Sequence, residues 1–319
     1  MPPQKPWYYL LAYNLYKNIE ANSYDPSFRR WYSYDFLSLN KYNWLISSSC
    51  GLVCFMDYGK ENKIYTSNPI LRDCKQLPNP PNGTLSDHNA LALSVDKFSQ
   101  CYQVALMKTK QFRDDFIRWD FTIQVFESKS CLWTTLVNEV LVGWRGERES
   151  VICDGILYCL ISSFYGSNVD SHGLIMYNIN SKSLCNSSMR RMIMVPCPLT
   201  CCRLMNLRDR LVMVGGIARL ELPVRIEGIG IWTLKDEEWE EVARIPRKLL
   251  QRFGEFDDFF ASCGAEDLIF IHSYDGPTLL IFDMTKKQWE WTTNCPITKR
   301  SPFQVFTGFC FQPSLEIKS

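Results

Sequence analysis

The side chains of this 319-residue chain that could carry chemistry are three histidines (His88, His172, His272), fourteen cysteines and adjacent carboxylates such as Asp114-Asp115 and Glu237-Glu238. Histidine moves protons near neutral pH, cysteine supplies a thiolate nucleophile or a soft metal ligand, and paired carboxylates can act as acid and base. None of them stands at the spacing its chemistry requires. No Cys-x-x-Cys and no His-Glu-x-x-His offers zinc a ligand set, no Gly-x-Ser-x-Gly presents a serine, and no Gly-x-x-x-x-Gly-Lys cradles a phosphate. Gly228-x-Gly230 lacks the third glycine and the helix of a dinucleotide loop. Cys197, Cys201 and Cys202 read as small buried hydrophobes, the histidines as surface or turn residues, and the carboxylate pairs as solvated turn charge. The expectation is no metal, no cofactor and no catalytic centre.

Composition narrows the partner. With 35 Lys+Arg against 34 Asp+Glu, no net field draws the chain to nucleic acid or to an anionic membrane. No apolar run approaches the length of a spanning helix. Trp7 to Leu11 is too short and too aromatic for a signal peptide, and no small-residue cleavage site follows it. The simplest reading is an intracellular protein, cytoplasmic or nuclear, with reduced thiols and with Asn82-Gly83-Thr84 and Asn186-Ser187-Ser188 unglycosylated.

The elements that would position any site come from an internal repeat. A β-rich run ends in an aromatic residue and an acidic or polar one, and a bulky residue follows seven positions after the aromatic. Tyr24-Asp25 leads to Trp31, Phe126-Glu127 to Trp133, Trp232-Thr233 to Trp239 and Phe282-Asp283 to Trp289; Ser67-Asn68 with Cys74 and Tyr177-Asn178 with Leu184 are weaker copies. Positions 31, 74, 133, 184, 239 and 289 are 43, 59, 51, 55 and 50 residues apart, near the period of about 50 of kelch repeats. Two further β-rich runs precede each hairpin, so each repeat predicts a four-stranded sheet, and the whole an all-β, six-bladed kelch-type β-propeller. The repeats span approximately 7–36, 44–78, 91–137, 150–196, 200–246 and 259–296 of a single 1–319 propeller. The first has only three strand candidates, and the run 303–313 is expected to supply its missing strand and close the fold. The four repeated tryptophans are expected to pack blades.

The residues Tyr24-Asp25-Pro26 with Trp31, Ser47 to Phe55, Asn68-Pro69 with Leu77-Pro78, Trp144-Arg145-Gly146 with Glu149 to Cys153, Leu204 to Arg208, Val214-Gly215-Gly216 and Gly254 to Asp257 together resemble the plant F-box/kelch-repeat proteins. The resemblance covers nearly the whole chain. It implies a propeller that selects proteins for ubiquitination by an SCF-type ligase. Members of that family carry a helical F-box that docks a Skp-type adaptor. Here the first strand begins by Trp7, so no F-box is expected, and adaptor and cullin would be partners only if a longer form supplies one.

Strand alternation places the b–c and d–a connections of every blade on one face. The expected long connections there include Asn79 to Ala90, Lys108 to Asp115, Val137 to Glu149, Phe164 to His172, Gly216 to Gly228 and Pro246 to Asp258. They carry Trp144, Arg145, Arg148, Arg219, Arg252, Phe253, Phe256 and Tyr274, residue types that dominate interface hot spots, and these are the candidate partner-binding residues. Trp144 and Phe256 could equally plug between blades. The reading is a non-catalytic receptor for a protein substrate; the alternatives are a propeller enzyme acting on a sugar or small metabolite, and a decoy or scaffold that works without a ligase.

Overall fold

The computed structural model describes residues 4–13, 19–33, 44–57, 63–81, 83, 86–163, 171–180, 192–219, 222–253, 260–274, 276–297 and 305–319. The strands in chain order are β1 (Trp7–Tyr13), β2 (Ile19–Asp25) and β3 (Arg30–Ser33); β4 (Trp44–Ser49), β5 (Leu52–Asp57), β6 (Ile64–Asn68) and β7 (Asp73–Gln76); β8 (His88–Val95), β9 (Tyr102–Phe112), β10 (Asp115–Glu127) and β11 (Leu132–Val142). There follow β12 (Trp144–Cys153), β13 (Ile156–Ser163), β14 (His172–Asn178) and β15 (Met192–Met194); β16 (Leu199–Leu207), β17 (Arg210–Arg219), β18 (Leu222–Lys235) and β19 (Glu238–Arg244); helix α1 (Arg247–Phe253); β20 (Phe260–Ala265), β21 (Leu268–Ser273), β22 (Leu279–Asp283) and β23 (Gln288–Trp291); and β24 (Val305–Phe311). They form six four-stranded antiparallel sheets, the blades of a six-bladed β-propeller. Two units are distinguished. One comprises Met1–Tyr42, Asn68–Arg72 and Thr200–Leu315 and carries the first, fifth and sixth sheets; the other comprises Asn43–Ser67, Asp73–Leu199 and Glu316–Ser319 and carries the second, third and fourth.

The acidic or amide residue of the repeat turns the chain by an Asx-turn. Asp25 Oδ1 accepts from Ser27 N at 2.7 Å, Asn68 Oδ1 from Ile70 N at 2.9 Å, Asn178 Oδ1 from Asn180 N at 2.9 Å and Asp283 Oδ1 from Thr285 N at 3.0 Å. Arg29, Arg72, Cys131 and Lys287 take positive φ just before the last strand starts. The aromatic then faces its tryptophan directly across the ladder: Tyr24 opposite Trp31, Phe126 opposite Trp133, Phe282 opposite Trp289. The fifth blade differs. Its hairpin is tighter, with Asp236 and Glu237 both at positive φ, so Trp239 opposes Leu234 while Trp232 opposes Glu241. The shared offset of seven is there a coincidence of spacing. Leu184 of the weak fourth copy lies outside the described residues, as do Asn82 and Asn186 of the two sequons.

Two of the tryptophans also latch blades. Trp31 Nε1 donates to Thr293 O at 2.9 Å, just past β23, and Trp133 Nε1 donates to Pro78 O at 2.7 Å, just past β7.

The inner strands of the blades are buried on both faces. Along β8, Ala90 and Ala92 enter one apolar layer with Phe121 and Ile161, while Leu91 and Leu93 enter another with Leu52 and Met56. In the other unit, Ile269 and Ile271 of β21 join Val214 and Phe282, whereas Leu268 and Phe270 join Tyr8 and Phe306. Such strands read as continuous apolar runs rather than alternations.

The third and fourth sheets extend beyond the expected repeats. Val137 to Glu149 is β11 and β12 with only Gly143, at φ 75°, between them, so the long loop expected there is absent. Lys108 to Asp115 is likewise two strand ends joined at Arg113-Asp114, and β17 and β18 run through most of Gly216 to Gly228. Lys108, Arg145 and Arg148, expected on those loops, lie in strands β9 and β12 instead.

The expected closing strand is present: β24 pairs antiparallel with β1 over seven residues, from Trp7 opposite Phe311 to Tyr13 opposite Val305. A buried polar clasp accompanies it. The Phe306 carbonyl can only accept, so His272 Nε2 carries the proton and donates to it at 3.3 Å, leaving Nδ1 to accept from the Tyr8 hydroxyl. Burial holds the Tyr8 phenol well above its usual range, so it remains a donor. Gly308 makes room for this, since a Cβ there would strike the Tyr8 hydroxyl.

Deleting residues 303–319 strips β1 of one of its two partners and should abolish the cooperative thermal transition. Burial lowers the His272 pKa from 6.5 to about 4. The unfolded chain therefore binds one proton more between those values, so stability present above pH 6.5 is lost as pH falls toward 4, by up to about 3 kcal/mol. His272→Gln keeps a donor and an acceptor without titrating; denaturant unfolding from pH 7 to 4 should show a shallower decline for the variant than for the parent chain.

Candidate protein-binding site

In the unit containing the third and fourth sheets, β8, β10, β12 and β14 begin, and β9, β11, β13 and β15 end, at the b–c and d–a ends of their blades. Trp144, Arg145 and Arg148 are gathered here, on strand β12 rather than on a loop. Trp144 is half-buried against the apolar layer of Phe121 and Ile161. Arg145 Nε donates to Glu147 Oε1 at 3.0 Å and to Ser162 Oγ at 3.1 Å, and Ser162 Oγ donates to the same Glu147 oxygen at 2.5 Å. Arg145 is thus committed within its own blade, whereas Arg148 is exposed. Burial, against an opposing pull from Glu147, lowers the pKa of His88, whose ring lies 5.7 Å from Trp119. Lys108, expected on a loop, is buried; its ammonium donates to Gly83 O at 2.9 Å and Pro81 O at 3.4 Å, and burial lowers its pKa. It pins the segment ahead of β8.

In the other unit, Arg219 ends β17, and Arg252 and Phe253 lie in the last turn of α1. Tyr274 follows β21, and its hydroxyl accepts from Arg203 Nη2 at 3.0 Å. Phe256 lies outside the described residues.

Among the described residues no three His, Cys, Asp or Glu side chains group as metal ligands, and no helix is long and apolar enough to cross a membrane. Asp115 Oδ1 accepts from Ile117 N at 3.2 Å and Glu237 sits in the β18–β19 turn. The sequence reading passed over Phe116, Ile117 and Val142, which stand exposed at the same end as Arg148. Phe116 and Ile117 directly follow the expected Lys108 to Asp115 loop, and Val142 lies inside the expected Val137 to Glu149 loop.

The family model described as F-box protein At3g26010-like, beta-propeller matches residues 29–217. The F-box/kelch-repeat protein At3g61590 of Arabidopsis thaliana is 48% identical over 98% of this chain and 78% of its own length. The chain belongs to the F-box/kelch-repeat propeller family. Two more distant relatives of this F-box/kelch propeller, also from Arabidopsis thaliana, are the Protein UNUSUAL FLORAL ORGANS, 24% identical over 93% of the chain and 67% of the relative, and the F-box only protein 6, 22% identical over 98% and 64%. A chain in the crystal structure of a nidogen/laminin complex superposes with a TM-score of 0.53 at 11% identity, covering 95% of this chain and 98% of that one, a likeness of fold alone.

Arg145→Ala leaves Glu147 half-buried with one donor fewer and should lower the unfolding free energy by about 1–2 kcal/mol. Arg148→Ala, at an exposed position, should change it by less than about 0.5 kcal/mol. Denaturant titration distinguishes the two.

Proposed function

We propose that this propeller is a non-catalytic receptor that captures protein substrates for an SCF-type ubiquitin ligase, acting in the cytoplasm or nucleus. The observation that carries the reading is the 48% identical relative, an F-box/kelch-repeat protein aligned along nearly the whole chain. The blade ends bearing Arg148, Val142 and Phe116 suit this role, because exposed arginine and large apolar side chains on a rigid scaffold are what protein interfaces use. The Skp-type adaptor and the cullin engage through an F-box supplied by a longer form. The substrate-binding residues are Trp144, Arg145, Arg148, Arg219, Arg252, Phe253, Phe256 and Tyr274, with Arg148 weighted above Arg145, whose guanidinium already serves Glu147 and Ser162.

Affinity purification with mass spectrometry should recover a reproducible set of proteins. Charge reversal at Arg148 and Arg252 to Glu should cut that recovery by about tenfold with no change in the thermal transition. Equal recovery by the variant contradicts the assignment of these arginines. Strong direct binding of a Skp-type adaptor by the chain itself contradicts the route proposed for ligase entry.

A further inference from the structure

The β9–β10 hairpin contains a break in pairing that the fold does not need. Its ladder jumps from Asp115 opposite Phe112 to Trp119 opposite Gln111, so Phe116, Ile117 and Arg118 are looped out with no partner on β9. The bulge is firmly held. Asp115 Oδ1 accepts from Ile117 N at 3.2 Å, Gln111 Nε2 donates to Phe116 O at 2.9 Å, and Gly143 N donates to Ile117 O at 2.8 Å. Asp87 Oδ2 braces the other strand by accepting from Gln111 N at 2.7 Å, and Trp119, the next residue of β10, is buried. Backbone fixed in this way aims side chains rather than letting them collapse. Phe116 is 75% exposed, Ile117 37%, and Val142, which faces Arg118 across the β10–β11 ladder, 57%.

The charge on this crest is unevenly spent. The carboxylates of Asp87 and Asp115 are turned onto main-chain N–H groups. Lys110 stands opposite Asp120 in the ladder. Arg113 and Arg118 form no ion pair among the described residues, and the Arg118 guanidinium carbon lies over the Phe112 ring, 5.0 Å from its centroid. Stacking of that kind orients the planar group while leaving its N–H edge available for a carboxylate. What the bulge offers outward is therefore apolar surface beside one oriented cation, Arg118, with Asp114 in the hairpin turn and Asp120 two residues along β10 also exposed.

We propose that the bulge Phe116-Ile117-Arg118, with Val142, is a docking site for an acidic–apolar peptide segment of a protein partner. An aliphatic or aromatic side chain of that segment packs on Phe116, Ile117 and Val142, and an adjacent carboxylate pairs with Arg118. This rests on the receptor reading and gives its substrate a chemistry.

The test is a phage-displayed library of random short peptides panned on the full chain. Enriched peptides are expected to carry Asp or Glu within a few residues of a large apolar side chain. They should bind Phe116→Ser and Arg118→Glu about tenfold or more weakly, and replacing their carboxylates with lysine should restore binding to Arg118→Glu alone. The thermal transition of both variants should match the parent chain, since neither side chain is buried. Enriched peptides that bind both variants as tightly as the parent overturn the site and leave the receptor reading standing, as does failure to enrich any acidic–apolar peptide. An affinity purification that recovers no protein partner removes the receptor reading itself.

Discussion

The constraint on which the structure depends is that each middle strand must fill two apolar layers at once. In β9, Val104 and Leu106 point into one layer and Ala105 and Met107 into the next, and all four are buried. A sandwich strand needs one good face, whereas a blade strand needs two that differ in size so that successive sheets nest. The small residues Ala90, Ala92 and Ala105 all fall on the side occupied by Trp119, Phe121 and Tyr177, where ring volume leaves little room. This is why the inner runs lack a period of two.

Two-sided burial makes the first sheet the vulnerable one, since β1 to β3 supply only three of its strands. Strand β24 repairs that deficit, and the clasp of Tyr8, His272 and Phe306 ties it to the neighbouring sheet by hydrogen bonds that exclude water. A polar group buried so completely is stabilising only while every donor and acceptor is matched, which joins the closure to the protonation state of one imidazole. Trp31 adds a second tie at the rim by reaching the carbonyl of Thr293. Sheet pairing, clasp and indole latch thus act on the same junction from three depths.

Much of this was legible. The aromatic–Asx spacing located hairpins because an Asx-turn is a local event, decided within a few residues by Asp25, Asn68 or Asp283. Closure was legible too, from counting strands in the first repeat. The misreadings share a physical cause. The b–c and d–a connections carrying Arg145 and Lys108 were expected to be loops, yet an antiparallel strand can carry charge where it overhangs its neighbours, or bury an ammonium against carbonyls as Lys108 does. The offset from Trp232 to Trp239 was misleading because spacing does not reveal turn length; that is set by φ at Asp236 and Glu237. Phe116 and Ile117 stayed hidden for a related reason. The alternation of Trp119, Phe121, Ile123 and Val125, all buried, extrapolates backward to bury Ile117, and nothing local announces that pairing stops at Trp119.

Arg145 and Arg118 show why residue type alone could not find the site. Both are arginines near the same ends of adjoining blades. One gives its Nε to Glu147 and Ser162, and its charge is balanced before any partner arrives. The other rests on an aromatic face and forms no ion pair among the described residues, so its charge remains to be balanced. Burying a charge that already has its partner adds little to binding, while satisfying one that has been oriented but not paired adds both attraction and direction. Recognition on such a scaffold is decided by which donors the blades leave unspent, and the three-residue bulge is where the backbone holds one of them open beside apolar surface.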